Sequence, residues 1–247
     1  PLSGAEMAHQ GRDWTQVAER IEYAKPLALS PSVPSELESW IANRNYPALF
    51  AEAFGDAAVT PSRVVMAIAT YERTLVSNQA SIDDFIAGDN AALTPLERQG
   101  LQVFAQSDCV DCHGGNRFTD DRFHYIGVRP VDEDLGRFHV TGNNGDRGRM
   151  RTPSLRNLEL RGAFMHNGGF GSITDVVAFY NRGGDFDAPN KNRSVRPLQL
   201  NANERNALIA FLGRPLTDPR VAEESGPFTR PALYAGSRLQ PAVADDA

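Results

Sequence analysis

The chain has 247 residues, of which 41% are hydrophobic and 23% charged, and its formal net charge is −6. The sequence has no apolar run of about 18 residues, which excludes a membrane span, and its acidic balance argues against nucleic-acid binding, which needs a basic surface. The two cysteines are too few to form a disulfide framework for a fold of this size.

The N-terminal part contains loop signals first and helical signals later. Residues 1–34 carry few helical signals, and Ser35 is a predicted N-cap for the first clear helix. Thr60 followed by Pro61 predicts a second helix, because a threonine cap and a proline in the first turn are typical of helix starts. Its apolar residues repeat at spacings of three and four, which predicts one apolar stripe made of Val64, Ile68, Tyr71 and Leu75. A short helix before Gly88 follows.

Cap residues predict where the later helices begin. Thr94 and Glu97 form a capping box, and the helix that follows carries Gly100 and Phe104 on one face. Ser172 is a predicted cap for a further helix, and Asn201 or Asn203 for a last helix that contains Phe211. A small residue and two aromatic side chains suit a close crossing of the helix that starts near 95 with the last helix. No alternating pattern supports a sheet, so the sequence predicts an all-α protein with long loops between 114 and 171.

The segment Cys109-Val110-Asp111-Cys112-His113 matches the C-x-x-C-H pattern of c-type haem attachment. Two thiols on a tight turn can add to the two vinyl groups on one edge of the porphyrin, and the next residue then supplies the proximal imidazole. Half of a zinc site is the alternative, but structural zinc usually takes four cysteine or histidine ligands and no second cysteine pair exists. Covalent haem attachment occurs outside the cytoplasm, so we expect a periplasmic protein.

Several side chains after this motif are candidates for the second axial position of the iron. An electron-transfer haem commonly has a second protein ligand, often methionine, whereas a catalytic haem leaves that position open. Counting along the chain favours Met165, and His124 and His139 are predicted to be surface residues in polar loops. The full set of candidates is His124, His139, Met150, Met165, His166 and Tyr180.

Three longer stretches have a recognisable pattern: Arg151-Thr-Pro-Ser-Leu-Arg-Asn157, Ala163-Phe-Met-His-Asn-Gly168 and the run from Ile173 to Gly184. They resemble the C-terminal haem domain of bacterial di-haem cytochrome c peroxidases and their MauG-like relatives. Upstream pieces at 71–75, 85–89 and 93–97, and the opening Pro1-Leu2 with Glu6-Met7, are similar to the same family. The likeness covers roughly residues 1–215.

The resemblance implies roles for individual residues. By resemblance, His113 is the proximal ligand of an electron-storing haem. Tyr180 matches the position of the distal ligand, where peroxidases of the family have methionine and MauG-like proteins have tyrosine. Met165 is the alternative distal ligand. A phenolate favours ferric iron and should lower the reduction potential relative to methionine. Glu6 matches the acidic residue that moves a proton between the peroxide oxygens. His166 resembles a histidine near the C-terminal haem, on a propionate or in the relay path.

The resemblance also has departures. The family carries a second C-x-x-C-H well upstream of the position of Glu6, and this chain can hold one covalent haem c. Either a second haem belongs to an N-terminal portion absent from this sequence, or the protein is a single-haem module. The family binds calcium through backbone carbonyls, and Arg161-Gly-Ala163 stands at the matching stretch. This leaves calcium open, because carbonyl oxygens bind it whatever the side chains are.

The resemblance predicts three segments: a helical remainder of a partial, second cytochrome c-like domain (1–92), a cytochrome c-like haem domain (93–217) and a proline-rich tail (218–247). The implied enzyme is a peroxidase that reduces hydrogen peroxide with electrons from a small donor protein, a cytochrome or cupredoxin. The MauG-like variant would instead oxidise aromatic residues of a protein substrate. A single-haem electron carrier without peroxidase activity is the competing class.

Overall fold

The computed structural model describes residues 13–30 and 33–229, and these divide into two compact units, Ser77–Ser225 and the described residues outside it. The structure is mostly helical. No helix in these ranges has both the length and the hydropathy needed to cross a bilayer. The helices are α1 Trp14–Tyr23, α2 Ser35–Ile41, α3 Tyr46–Phe54, α4 Pro61–Glu72, α5 Ser81–Ile86, α6 Pro95–Gln106, α7 Val110–His113, α8 Phe138–Thr141, α9 Ile173–Asn181, α10 Ala202–Leu212 and α11 Pro219–Ala222.

Helices α1 to α4 form the first unit, in which α1 contacts α3 and α4. The side chains of Ala18, Phe50 and Val64 are buried. Thr60 caps α4 as predicted, accepting a hydrogen bond from the backbone of Arg63, but α2 begins after Pro34 without the predicted serine cap. The predicted apolar stripe of α4 is largely uncovered, since Ile68 and Tyr71 are 47% and 57% exposed.

The second unit is built on the crossing of α6 and α10. An added Cβ at Gly100 would lie 2.0 Å from the carbonyl oxygen of Ala207 and 2.7 Å from the Cβ of Phe211, so only glycine permits this approach. The rings of Phe104, Phe118 and Phe211 pack together, with centroids 5.3 Å apart for Phe104 and Phe211. The predicted close crossing is confirmed, and it fixes the end of α6 immediately before the cysteine motif.

A small antiparallel sheet corrects the strictly all-α prediction. Strands β1 (Phe123–His124) and β2 (Met150–Arg151) pair residue by residue, Phe123 with Arg151 and His124 with Met150. Strands of two residues are too short to produce an alternating pattern, so no sequence signal exists for them.

The second unit also extends beyond the predicted haem domain at both ends. Ala80, Ile82 and Leu216 are buried in one core, so α5 packs with this unit although its sequence was assigned to segment 1–92. At the other end, Asp218 is fully buried and accepts a hydrogen bond from the backbone of Gln79 at 3.1 Å. This carboxylate therefore ties the chain at 218 to the residues before α5, within the compact unit that extends to Ser225.

We expect acidification to weaken the start of α6 through Glu97. Burial raises the pKa of Glu97, but hydrogen bonds from Arg214 and Thr94 lower it by more, so the pKa lies below the usual 4.5. A carboxyl group of this kind stabilises the fold above its unfolded-state pKa, and the contribution is lost as pH falls through the folded-state pKa. Glu97→Gln should cost about 1–2 kcal/mol at neutral pH, a modest value because Arg214 is half exposed.

Urea unfolding across acidic and neutral pH measures this effect. The difference between the wild type and Glu97→Gln should shrink as the pH falls below the usual 4.5 of a glutamate. Glu204→Gln is the matched control, because Glu204 closes the same kind of capping box on α10 and has no arginine partner among the described residues. Equal pH slopes for all three proteins would contradict the assignment.

Candidate haem-attachment site

The cysteine motif lies on a short turn that the end of α6 positions. Asp108 takes a left-handed conformation with φ +60, which aspartate tolerates better than most residues, and it turns the chain into α7. Cys109 precedes α7 and Cys112 lies within it, and both are half-buried free thiols. The turn brings the two thiols and the His113 ring into one short segment, as the motif predicts.

Both cysteines are held as neutral thiols. Burial raises the pKa of Cys109 to about 12, with Asp108 contributing, and burial with Asp120 and Asp111 raises the pKa of Cys112 to about 11. Thiolates at metal or redox sites are instead stabilised by nearby positive charge, which lowers the pKa. The raised pKa of each cysteine therefore favours the neutral thiol in the absence of a bound cation.

His113 is prepared as a neutral ligand. Its Nδ1 lies 2.9 Å from the carbonyl oxygen of Phe118, which can only accept, so Nδ1 carries the proton and Nε2 keeps its lone pair. Burial lowers the pKa of His113, and this outweighs the opposing effect of the Phe118 carbonyl. A histidine that donates its second N–H to a carbonyl is the usual arrangement of a metal ligand. The residues present therefore fit a covalent haem c with His113 as proximal ligand.

Tyr180 lies close enough to the two thiols to interact with them electrostatically. It follows the fully buried Phe179 near the end of α9, and the two rings meet edge to face with centroids 5.1 Å apart. Burial raises the pKa of Tyr180, and its electrostatic interaction with Cys109 and Cys112 raises the pKa further. The structure thus brings together four of the sequence-predicted residues, Tyr180 and the three of the motif. Met165, the alternative ligand, is half-buried in a loop with φ +64.

The other two predicted site residues have different outcomes. His166 is exposed and its Nε2 lies 2.6 Å from Oδ2 of Asp134, a partner that its sequence context did not suggest. Its predicted role near the haem stays a prediction. Glu6 lies outside the residues that the structure describes.

A polar network next to Cys112 was missed by the sequence interpretation. His124, predicted to be a surface residue, is half-buried and bridges Asp120 and Asn192: its Nε2 lies 2.8 Å from Asp120 Oδ2 and its Nδ1 2.9 Å from Asn192 Nδ2. The Asn192 amide in turn lies 3.9 Å from the Cys112 sulfur. Donor atoms of Cys112, Asp120 and His124 lie within 4.8 Å of one another. Both imidazole nitrogens are engaged, so these residues form a hydrogen-bond network in this structure.

Comparisons with known proteins show which proteins this chain resembles. The family model described as di-haem cytochrome c peroxidase matches residues 2–91. The methylamine utilization protein MauG of Methylorubrum extorquens is 35% identical over 85% of this chain and 60% of its own length. Cytochrome-c peroxidase IdrP1 of Denitromonas iodatirespirans is 32% identical over 72% of this chain and 56% of its own length. A solved MauG-like protein associated with microbial copper homeostasis superposes with a TM-score of 0.61 at 26% identity, covering 72% of this chain and 63% of the other.

The helical second unit and its C-x-x-C-H turn carry the features expected of a c-type haem domain. The chain is similar to the family of di-haem cytochrome c peroxidases and MauG-like proteins. The family implies haem c as cofactor. The chain spans 60% and 56% of the length of the two curated relatives described above.

Proposed function

We propose that this chain is the haem-bearing portion of a periplasmic oxidoreductase that reduces hydrogen peroxide, with electrons relayed through a haem on Cys109 and Cys112. When bound, the haem supplies one-electron redox chemistry at iron. His113 would hold the iron through Nε2 and keep its Nδ1 proton on the Phe118 carbonyl. The electrons would come from a small donor protein, or from a protein substrate in the MauG-like variant.

Tyr180 is the observation that most supports the MauG-like variant. Its phenol is half-buried and within electrostatic range of both cysteines, on a helix whose sequence resembles the family's ligand-bearing helix. The raised pKa of Tyr180 means that the phenol keeps its proton in the protein alone, so a cation must be present to draw the proton off. A phenolate ligand would stabilise ferric iron and favour oxidised states over electron storage.

Tyr180→Phe tests this assignment. If the phenolate is a ligand, its loss should change the ferric absorption and electron paramagnetic resonance spectra and raise the reduction potential by about 60 mV or more, a tenfold change in relative affinity. Tyr71→Phe, at an exposed position of α4, is the matched control and should change neither property. Met165→Leu tests the alternative ligand. Unchanged spectra in Tyr180→Phe together with altered spectra in Met165→Leu would assign the position to methionine.

A single-haem electron carrier is the second candidate, because this sequence contains one C-x-x-C-H segment and no other cysteine. Pyridine haemochrome analysis of the complete protein, purified from its periplasmic source, separates one haem from two. Addition of hydrogen peroxide to the ferric protein then separates the functions. A high-spin signal that changes with peroxide supports the peroxidase, and a low-spin spectrum indifferent to peroxide supports the carrier.

We also propose that the protein binds calcium and a second haem. Arg161, Gly162 and Ala163 are exposed in the loop before Phe164, which leaves their carbonyls available for a cation. The proton transfer assigned to Glu6 belongs to the peroxide reaction and would require a haem with an open iron face. Metal analysis of the purified protein, before and after chelation, tests the calcium expectation directly.

A further inference from the structure

The second unit contains a cleft of about 670 Å³ that is lined by basic side chains. Strand β1 and its flanking residues 121–125 form one wall and residues 190–193 another. The cationic groups on its lining are Arg122, Arg137, Arg149, Lys191 and Arg193, against the two carboxylates of Asp121 and Asp146. The chain as a whole carries a net charge of −6, so this concentration of positive charge runs against the overall composition.

Both acidic groups of the cleft already have partners. Asp121 forms ion pairs with Arg117 and Arg151. Asp146 is shared by Arg137 at 3.4 Å and Arg149 at 3.3 Å. The positive charge of the cleft is therefore only partly compensated by its own carboxylates.

The basic groups of the cleft differ in whether a carboxylate pairs with them. Lys191 is held by Asp187 at 2.5 Å and by the carbonyl of Gly183 at 2.8 Å. Arg122 and Arg193 are exposed and have no carboxylate partner within residues 13–30 and 33–229. They come from two neighbouring segments that are joined by the bridge between Tyr125 and Lys191. The cleft has the volume typical of small-molecule sites.

We propose that this cleft binds a ligand carrying two or more carboxylate groups, with Arg122 and Arg193 as its principal cationic contacts. Planar guanidinium groups suit carboxylates because they offer paired N–H donors. Such a ligand would lie beside Asn192 and His124, the cleft residues that connect to Cys112. The carboxylates could belong to a free polycarboxylic acid or to an acidic segment of a protein. The inference stands on the cleft alone and does not require the proposed peroxidase function.

Calorimetric titration of the haem-loaded protein with citrate, at low ionic strength, measures binding to the cleft. We expect saturable binding that weakens as sodium chloride is added, because charge–charge attraction is screened by salt. The double variant Arg122→Gln/Arg193→Gln should bind citrate at least about tenfold more weakly, since it loses two charge-assisted contacts. The control Arg20→Gln/Arg73→Gln removes the same charge from two exposed arginines outside the cleft and should bind like the wild type.

A hexaglutamate peptide, titrated in parallel, separates the two sources of carboxylate. Tighter binding of citrate assigns the cleft to a free polycarboxylic acid, and tighter binding of the peptide assigns it to an acidic protein segment. Either result supports the proposal if the Arg122→Gln/Arg193→Gln variant weakens it. Absence of binding by both probes, or equal weakening in the control variant, would overturn the proposal. Far-ultraviolet circular dichroism and the haem spectrum confirm that each variant is folded and loaded.

Discussion

Replacing Cys109 and Cys112 together with alanine should abolish covalent haem attachment and reduce denaturation-resistant haem to background. The two thiols are the only sulfur nucleophiles of the chain, and both lie on the turn that ends in His113. Each single variant should retain at most one thioether bond, so its haem should be released more readily. Haem staining after denaturing electrophoresis, with pyridine haemochrome quantitation, measures the loss.

Val110→Ala is the control for this result, because Val110 is an exposed residue of the same turn and offers no ligand. It should be matured with the same haem yield as the wild type. Retention of covalent haem in the double cysteine variant would show that another residue attaches the group, and the assignment of the motif would be wrong.

Gly100→Ala should destabilise the second unit by about 3 kcal/mol or more, at or above the usual range for an overpacked core. The added Cβ would meet the backbone of Ala207 at 2.0 Å, and a backbone atom in a helix cannot move aside as a flexible side chain can. Separation of α6 from α10 would also loosen the packing of Phe104 against Phe211 and shift the start of the cysteine turn. We expect a lower thermal midpoint together with a lower haem yield.

Gly162→Ala is the matched control, because an added Cβ at Gly162 meets nothing within 4 Å. It should change stability by no more than a few tenths of a kcal/mol. If Gly100→Ala unfolded at the same temperature as Gly162→Ala, the close crossing of α6 and α10 would not be a feature of the protein in solution.

The helices could be predicted because their signals are local. Thr60, Thr94, Ser172 and Asn201 each accept a hydrogen bond from the backbone two or three residues ahead, and a cap of this kind depends only on neighbouring sequence. The Gly100 crossing was predictable for a different reason. A glycine on the apolar face of a well-formed helix indicates that another backbone approaches there.

The network around His124 could not be predicted because its partners are distant in sequence. Asn192 reaches both His124 and Cys112 across long loops, and no pattern in those loops fixes their path. Asp120 was the one available signal, since it precedes His124 by four residues and pairs with it. The basic cleft has the same origin, because residues 121–125 and 190–193 come together only in the folded chain.

The prediction of Tyr180 as a distal ligand came from the family resemblance and not from spacing along the chain. Spacing along the chain favoured Met165, whereas the family pattern pointed to Tyr180. In the fold, α9 packs against α10, and the Tyr180 phenol interacts electrostatically with both cysteines. Periodicity alone would have assigned this tyrosine to the core with Val177, which is buried on the same helix.

The intact mass of the denatured wild-type chain, measured after thiol alkylation, tests the central assignment most directly. Thioether linkage at positions 109 and 112 predicts the mass of the polypeptide plus one haem, with no alkylated cysteine. A chain from a haem-maturing host that showed two alkylated thiols and no added mass would contradict it.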